Sequence, residues 1–470
     1  MTSEWKTISL SDAGVQLIDC VHNTPKEAND HFLYVAIPQM KSGNIDTADA
    51  RRITERDYER WTQKACPQPW DVVLSRRCNP GVTAHVPEGL KFALGQNLVL
   101  LRSNGEHIYP QFLRWLARSP LWWNEVNTYL NVGAVFDSLR CADIPSFKLP
   151  IPPLPEQKAI AHILGTLDDK IELNRKMNET LEAMAQALFK SWFVDFDPVI
   201  DNAMLAGKPL PEDLEAKATV RQEQLEATYG SLDAAASHFA SQPSDFHHLF
   251  PDSFELTEEL GWMPAGWKAS HIGKEVNCVG GATPSTKISE YWDEGNIYWT
   301  TPKDLSDQTS KVLFSTARKI TEEGLKKISS GLMPVDTVLM SSRAPVGYLA
   351  LAKVPVAINQ GYIAMKCEKT LSPEYVIQWA DSIMDDIKQR AGGTTFAEIS
   401  KKNFRSIPAL VPCVEILKLY STICKGYYDK ITENLLQSHS LEKIRDSLLP
   451  KLLSGEIRIP EAEVMVEGVG

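Results

Sequence analysis

Between Pro155 and Phe193 the only glycine is Gly165, and Ile160, Leu164, Leu167, Ile171, Leu181, Leu188 and Trp192 recur mostly at three- and four-residue steps among polar residues. That period predicts a helix. It is entered through the extended PIPPLPEQ, with Glu156 in the first turn, and from Glu156 to Phe193 it would run about 57 Å at about 1.5 Å per residue. Such a length exceeds the needs of a domain core and reads as a spacer. At heptad spacing, Leu164, Ile171, Asn178, Ala185 and Trp192 form one seam row, and Leu167, Asn174, Leu181 and Leu188 the other. Asparagine in a seam costs stability but fixes register and partner. Asn174 is therefore expected in a paired polar contact, whereas Asn178 suits a paired contact and a solvated turn equally.

The pattern returns 260 positions later in YYDKITENLLQSHSLEKIRDSLLPKLL. Asp169, Lys170 and Ile171 fall on Asp429, Lys430 and Ile431, Asn174 falls on Asn434, Leu181 on Leu441 and Leu188 on Leu448. The second seam places Cys424, Ile431 and Ser438 in one row and Tyr427, Asn434, Leu441 and Leu448 in the other. Upstream, with small shifts, Phe136 falls on Phe396, Asp71 on Asp336, Pro38 on Pro302 and Trp5 on Trp267. The chain is a twofold tandem duplication, each copy a globular segment followed by a long helix. The two helices are predicted to pack antiparallel, because the chain leaves one globular segment and returns from the other.

The globular segments read as mixed α/β (α+β). In the first, residues 1–150, β-branched and aromatic runs at 32–37, 71–75 and 98–102 predict strands, and helices are predicted at 54–64 and 110–130. The first long helix occupies 151–195 and an acidic connector 196–260, in which one short helix, Glu212 to Tyr229, is predicted and the rest is expected to be mobile. The second globular segment spans 261–410, the second long helix 411–456 and a tail 457–470.

The net charge of −11 argues against a nucleic-acid binder until it is mapped. Residues 194–260 hold 14 Asp/Glu against 3 Lys/Arg, and the remainder holds 46 of each. The acidity belongs to the connector and says little about the repeats. Eight scattered cysteines without a CxxC pair read as reduced packing residues, and His247 and His248 lack a third ligand, so no metal site is expected. No run of 18 apolar residues suggests a membrane span, and no charged start with an apolar stretch suggests a signal peptide, so a cytoplasmic location is expected. There is no GxxxxGK[ST] loop and no GxGxxG. Asp197-Pro198 lacks the aromatic-bearing [DNS]PP[YF] pattern of an amino-methyltransferase. Asp168 with Asp169, and Glu258 with Glu259, read as solvated charge. No constellation makes the chain an enzyme.

What remains is a set of hydroxyl, amide, aromatic and basic residues at turn-like positions, suited to phosphates and to base edges in a groove. In the second segment these are Thr283, Ser285, Lys287 and Tyr291, then Trp299, Thr301 and Lys303, then Ser342, Arg343, Gln360 and Tyr362. In the first they are Gln39, Arg76, Arg77 and Gln96.

GGATPSTKISEYW, the RAPVG turn, FPDSFE with GWMPAGW, and the exit through PPLPEQ into a helix ending LFKSWFVDFDPV or LLPKLLSGEI together resemble the DNA-specificity subunit of Type I restriction-modification systems. The resemblance covers essentially the whole chain. The first segment departs from it, with KTISLSDAGVQLIDCVHNTP and SRRCNPGV in place of the Gly-rich turn and RAPVG. It implies two pseudo-symmetric target-recognition domains separated by two long antiparallel helices, each domain reading half of a bipartite asymmetric site in double-stranded DNA. The helices would set half-site spacing and dock two methyltransferase subunits, with restriction/translocase subunits in the full complex. Neither cofactor nor metal is then expected on this chain, and S-adenosylmethionine, ATP and Mg would sit on the partners. Phe189, Trp192 and Phe193, side by side at a helix end, would either dock a partner or form a small core. A coiled-coil structural adaptor that binds proteins rather than DNA fits the duplication and the seams as well.

Overall fold

Proline cannot continue a helix but suits its first turn, and Leu154-Pro155 opens the first long helix, which runs Leu154–Lys190. The computed structural model describes residues 5–133, 136–241, 246–306, 308, 310–393 and 397–467. The chain forms two compact units, one of residues 1–172 with 437–470, the other of residues 173–436. Each therefore contains one globular repeat and a part of both long helices, the second helix being Val414–Ser454.

In the first unit, strands Val15–Asp19, Leu98–Ser103, Val72–Ser75 and Thr83–His85 form an antiparallel sheet in that order. A second sheet pairs Phe32–Val35 antiparallel to Arg51–Ile53 and parallel to Phe92–Leu94, and Lys6–Ser9 pairs with Lys148–Ile151. The helix predicted over 110–130 is two helices, Pro110–Leu116 and Pro120–Tyr129. Ser119 caps the second by accepting from the Trp122 amide, and Pro120 cannot donate to a preceding turn. Phe112, Trp115 and Trp122 enter the core with Ile160, Leu164 and Leu167 of the first long helix and Leu441, Leu448 and Leu452 of the second. Ile171 packs at its edge.

The second unit repeats this plan. Asn277–Val279, Tyr362–Lys366, Thr337–Ser341 and Leu349–Ala352 line up as the first sheet does, with Val312–Leu313 added at the edge. Ile297–Thr300 lies antiparallel to Arg318–Ile320 and parallel to Val356–Ile358, and Lys268–His271 pairs with Pro408–Val411. Asp71 and Asp336, Pro38 and Pro302, and Trp5 and Trp267 stand at matching places in the two plans, while Phe396 lies outside the described residues.

Within the second unit the helices run antiparallel. Asn178 and Asn174 meet Asn434, whereas Phe189 and Phe193, further along, meet Tyr420. Ile431 is buried in the same core, with Leu181 and Leu188 packed against it. In this core Phe189, Trp192 and Phe193 are enclosed by Tyr375, Tyr420, Phe250 and Trp267. Of the two readings of that aromatic cluster, the core is the one the structure supports.

Two expectations are corrected. The acidic connector, expected to be mobile outside one helix, forms two more among its described residues: besides Glu212–Tyr229 there are Asp197–Leu205 and Leu232–Ser241. The fully buried Asp201 receives both Arg221 Nε and Nη2 at 2.8 Å, a bidentate pair that fixes one helix against another. Asp168, expected in solvent, is 9% exposed and lies among three arginines. Arg445 Nη1 is 2.6 Å away, Arg114 Nη1 3.8 Å and Arg118 Nη1 3.9 Å.

Candidate nucleic-acid interface

In each repeat a loop joins two neighbouring antiparallel strands of the main sheet, Ser75–Val82 between Val72–Ser75 and Thr83–His85 in the first and Ser341–Tyr348 between Thr337–Ser341 and Leu349–Ala352 in the second. Each closes through the same bonds: Ser75 N donates to Val82 O and Gly81 N to Ser75 O, as Ser341 N donates to Tyr348 O and Gly347 N to Ser341 O. Left-handed backbone stands at matching places, Cys78 with Gly81 and Ala344 with Gly347. The residue after the strand is tied to a neighbouring turn, Arg76 N to Asn97 O and Ser342 N to Gly361 O. The next residue forms an isolated bridge, Arg77 with Ser138 and Arg343 with Glu398. SRRCNPGV and SSRAPVGY are thus one loop in two sequences, so the first repeat's departure is one of side chains.

In the second repeat, several predicted residues reach the surface. Thr283, Ser285, Lys287, Lys303 and Gln360 are exposed, and Thr283 Oγ1 donates to Gln360 Oε1 at 2.6 Å. The turn they share needs Gly281, where a Cβ would come within 1.9 Å of the Ile358 carbonyl oxygen. Tyr291 is half-buried, with Lys327 Nζ 5.6 Å from its ring centre. The side chain of Arg343 is 38% exposed, its Nη1 3.6 Å from Glu398 Oε2.

Other predicted contacts prove to be supports. Trp299 is buried with Ile320, Ile328 and Ala357 and donates its indole N–H to Ala282 O. Tyr362 is buried with its hydroxyl on Thr301 O at 2.6 Å, and burial pushes that phenol well above its ordinary range. Ser342 is buried. Thr301 donates its hydroxyl to Asp304 Oδ2 at 2.9 Å, within the short helix Pro302–Ser306 that follows it. Burial removes Trp299, Tyr362 and Ser342 from any groove and makes them props for the turns that reach it.

In the first repeat Arg77 and Gln96 are exposed, and the Arg77 guanidinium lies 5.8 Å from the Phe136 ring centre. Gln39 is a support: it is buried, accepts from Ala36 N at 3.1 Å and donates to Asp49 O at 3.3 Å. Gln39 and Gln96 border a cleft with Tyr34, Asp49 and Arg51. Arg76 is half-buried, its Nη2 3.1 Å from Nδ1 of the exposed His22.

Sequence reasoning passed over three features here. Arg318 stacks its guanidinium 3.6 Å from the Trp292 ring centre, a pair whose residues are 26 positions apart. Ser138 and Glu398 join the interface through the bridges to the two arginines. Asp19, Cys20 and His22 bring donor atoms within 4.8 Å of one another, a grouping that the D-C-x-H spacing could have signalled. Lys64 Nζ stands 3.3 Å from Asp19 and Arg76 beside His22, so protein cations already neutralise the cluster. Burial pushes the Cys20 thiol up to about 11, which leaves it protonated.

The model of the Type I restriction modification DNA specificity domain matches the chain twice, over residues 21–183 and 264–438. The chain belongs to that family. Each match covers most of one repeat and more than half of the long helix that follows it. The chain is similar to the Type I restriction enzyme HindI specificity subunit of Haemophilus influenzae, with 28% identity over 386 residues, 78% of this chain and 81% of the other. It is 34% identical over 188 residues to the MjaIX specificity subunit of Methanocaldococcus jannaschii, covering 40% of this chain and 43% of that one. Among solved structures, the Type I restriction-modification S subunit from M. genitalium shares the fold, with a TM-score of 0.52 at 14% identity over 96% of this chain and 97% of the other. As a Type I specificity subunit the chain is a DNA sequence-recognition component and is non-catalytic. The adaptor reading receives no support from these relatives. Among the described residues, no helix is long and apolar enough to cross a membrane.

Proposed function

We propose that each repeat of this specificity subunit reads one half of a bipartite, asymmetric double-stranded DNA site, and that the long helices receive two methyltransferase subunits. S-adenosylmethionine, ATP and Mg belong on those partners and on the restriction/translocase subunits of the full complex. The observation that carries the reading is one loop built twice, with an arginine at the same place and different side chains around it: Arg76 against Ser342, and Ser138 against Glu398. Equal backbone with unequal side chains suits two readers of different sequence. Docking is supported by Leu173, Met177 and Met184, which recur at helical spacing on the first long helix and stand exposed, with Leu436 exposed on the second. An exposed apolar stripe on a soluble helix marks a protein contact.

The test exchanges residues 261–410 for the corresponding stretch of a relative, co-expresses the chimera with the methyltransferase, and maps methylated adenines across the host genome. One half-site is expected to change while the other is retained. A motif altered in both halves, or in neither, rejects the assignment of one half-site to each repeat.

A further inference from the structure

We infer that Glu398 is a base-reading residue acting together with Arg343, and that the pair selects a single G·C base pair in the half-site of the second repeat. The inference rests on the reading that this loop faces DNA. The isolated bridge between residues 343 and 398 holds the two side chains together, Nη1 and Oε2 being 3.6 Å apart, and both remain partly exposed, 38% and 47%. A carboxylate on a surface that meets phosphates is repelled by them, so its place there calls for a donor on the DNA. In the major groove guanine offers two adjacent acceptors, O6 and N7, and its paired cytosine offers the N4 donor beside them. An arginine fork next to a carboxylate presents the complementary order of two donors and one acceptor. An A·T pair offers its donor between two acceptors, so it cannot satisfy the fork and the carboxylate together.

The first repeat supplies the comparison. Its bridge joins Arg77 to Ser138, and a serine hydroxyl both donates and accepts, so it imposes no cytosine. The same arginine is therefore accompanied by a selective neighbour in one repeat and a permissive one in the other.

Glu398→Ala, Arg343→Ala, the double variant and Ser138→Glu would each be assembled with the methyltransferase and offered a randomised DNA library, with methylated products sequenced. Glu398→Ala and Arg343→Ala are expected to relax the same single position, by about five- to 150-fold in preference each. The double variant relaxes it further than Arg343→Ala alone, which a glutamate that only orients Arg343 would not do. Ser138→Glu is expected to add a preference for G·C at one position of the other half-site. Glu398→Ala that leaves the motif and its occupancy unchanged overturns the inference, as does relaxation at a position different from that of Arg343→Ala. If Glu398→Ala fails to assemble, Glu398→Gln with an unchanged motif at full occupancy in the Arg343→Ala background overturns it in the same way. If Arg343→Ala and Glu398→Ala both assemble and neither moves any position, the loop does not face DNA, and the underlying reading fails together with the inference.

Discussion

Asn434 donates its side-chain amide to Asn178 Oδ1 at 2.9 Å, while Asn174 Nδ2 reaches the Asn434 carbonyl oxygen at 3.3 Å. All three are at least 95% buried. The two seam asparagines of the first long helix thus converge on one asparagine of the second, and Asn178, for which a solvated turn was as good an expectation, is a paired contact. Register is the consequence, because only one alignment of the two segments satisfies these amides.

Asn178→Leu is expected to destabilise the chain by about 1 to 3 kcal/mol, since the Asn434 amide then stays buried without its acceptor. Replacing both partners should recover much of that loss, because two apolar side chains leave no orphaned group. Urea unfolding of the two single variants and the double variant measures the coupling. Additive effects would show that the pair does not act as a unit.

In the first unit the contact between the two long helices is charged instead. Among the described residues, Asp168 is the only carboxylate within ion-pair reach of Arg114 and Arg118, and it also binds Arg445. Burial depresses Arg114 and Arg118 against the pull of Asp168, whereas at Arg445 the contacts with Asp168 and Asp446 outweigh burial and raise the guanidinium. Asp168→Asn leaves the buried Arg114 and the half-buried Arg118 without that carboxylate and Arg445 with Asp446 alone, and should cost about 3 to 5 kcal/mol. Asp169→Asn, at the exposed neighbouring site, should change stability by no more than about 0.5 kcal/mol. Thermal unfolding that ranks the two variants equally would remove the cluster from the account of stability.

These contacts show where the sequence was legible. Period and breakers located both long helices and the 212–229 helix, because those signals are local. The fate of Asp168 was not legible: its tightest partner lies 277 positions away, and a pair of aspartates on a helix otherwise looks solvated. The connector was misread for the same reason, since composition registered its acidity but not the Asp201–Arg221 pair or the aromatic contacts of Phe246 and Phe250 with Trp192. At the interface, Trp299 and Tyr362 carry the right chemistry for DNA, and only tertiary packing reveals that they face inward. The kinship of SRRCNPGV with SSRAPVGY was hidden because left-handed backbone at Cys78 and Ala344 sets the loop, whatever the side chains.

His85 provides a pH signature. Its Nε2 lies 3.2 Å from Arg114 Nη1 and its Nδ1 3.2 Å from Gly43 O, and burial, aided by Arg114, pushes its pKa down to about 4. The unfolded chain takes up this proton near pH 6.5 while the folded chain resists until about 4. The stability that neutral His85 permits is therefore complete above about pH 6.5 and is lost as pH falls towards 4, by about 3 kcal/mol in all. His85→Gln, which cannot be protonated there, should flatten the unfolding midpoint between pH 6.5 and 4. A variant with the same slope as the unaltered chain would assign the acid sensitivity to other groups.

The two arginines give the most direct test of the duplicated interface. Arg77 and Arg343 occupy the same place on loops closed by the same hydrogen bonds, so each should act on its own half-site. If each contacts a base edge, Arg77→Ala and Arg343→Ala should weaken recognition by about 1 to 3 kcal/mol, and each should relax one position in one half-site only. The affected half-sites must differ between the two variants, because no side chain is shared by the two loops. A lysine or arginine that only meets phosphate would instead weaken binding evenly across sequences and lower the salt dependence by about one unit of slope. Methylated adenines mapped genome-wide, with each variant expressed beside its methyltransferase, separate these outcomes. An unchanged motif at undiminished occupancy would remove that arginine from the readers, and relaxation spread over both half-sites would show that the repeats do not read independently.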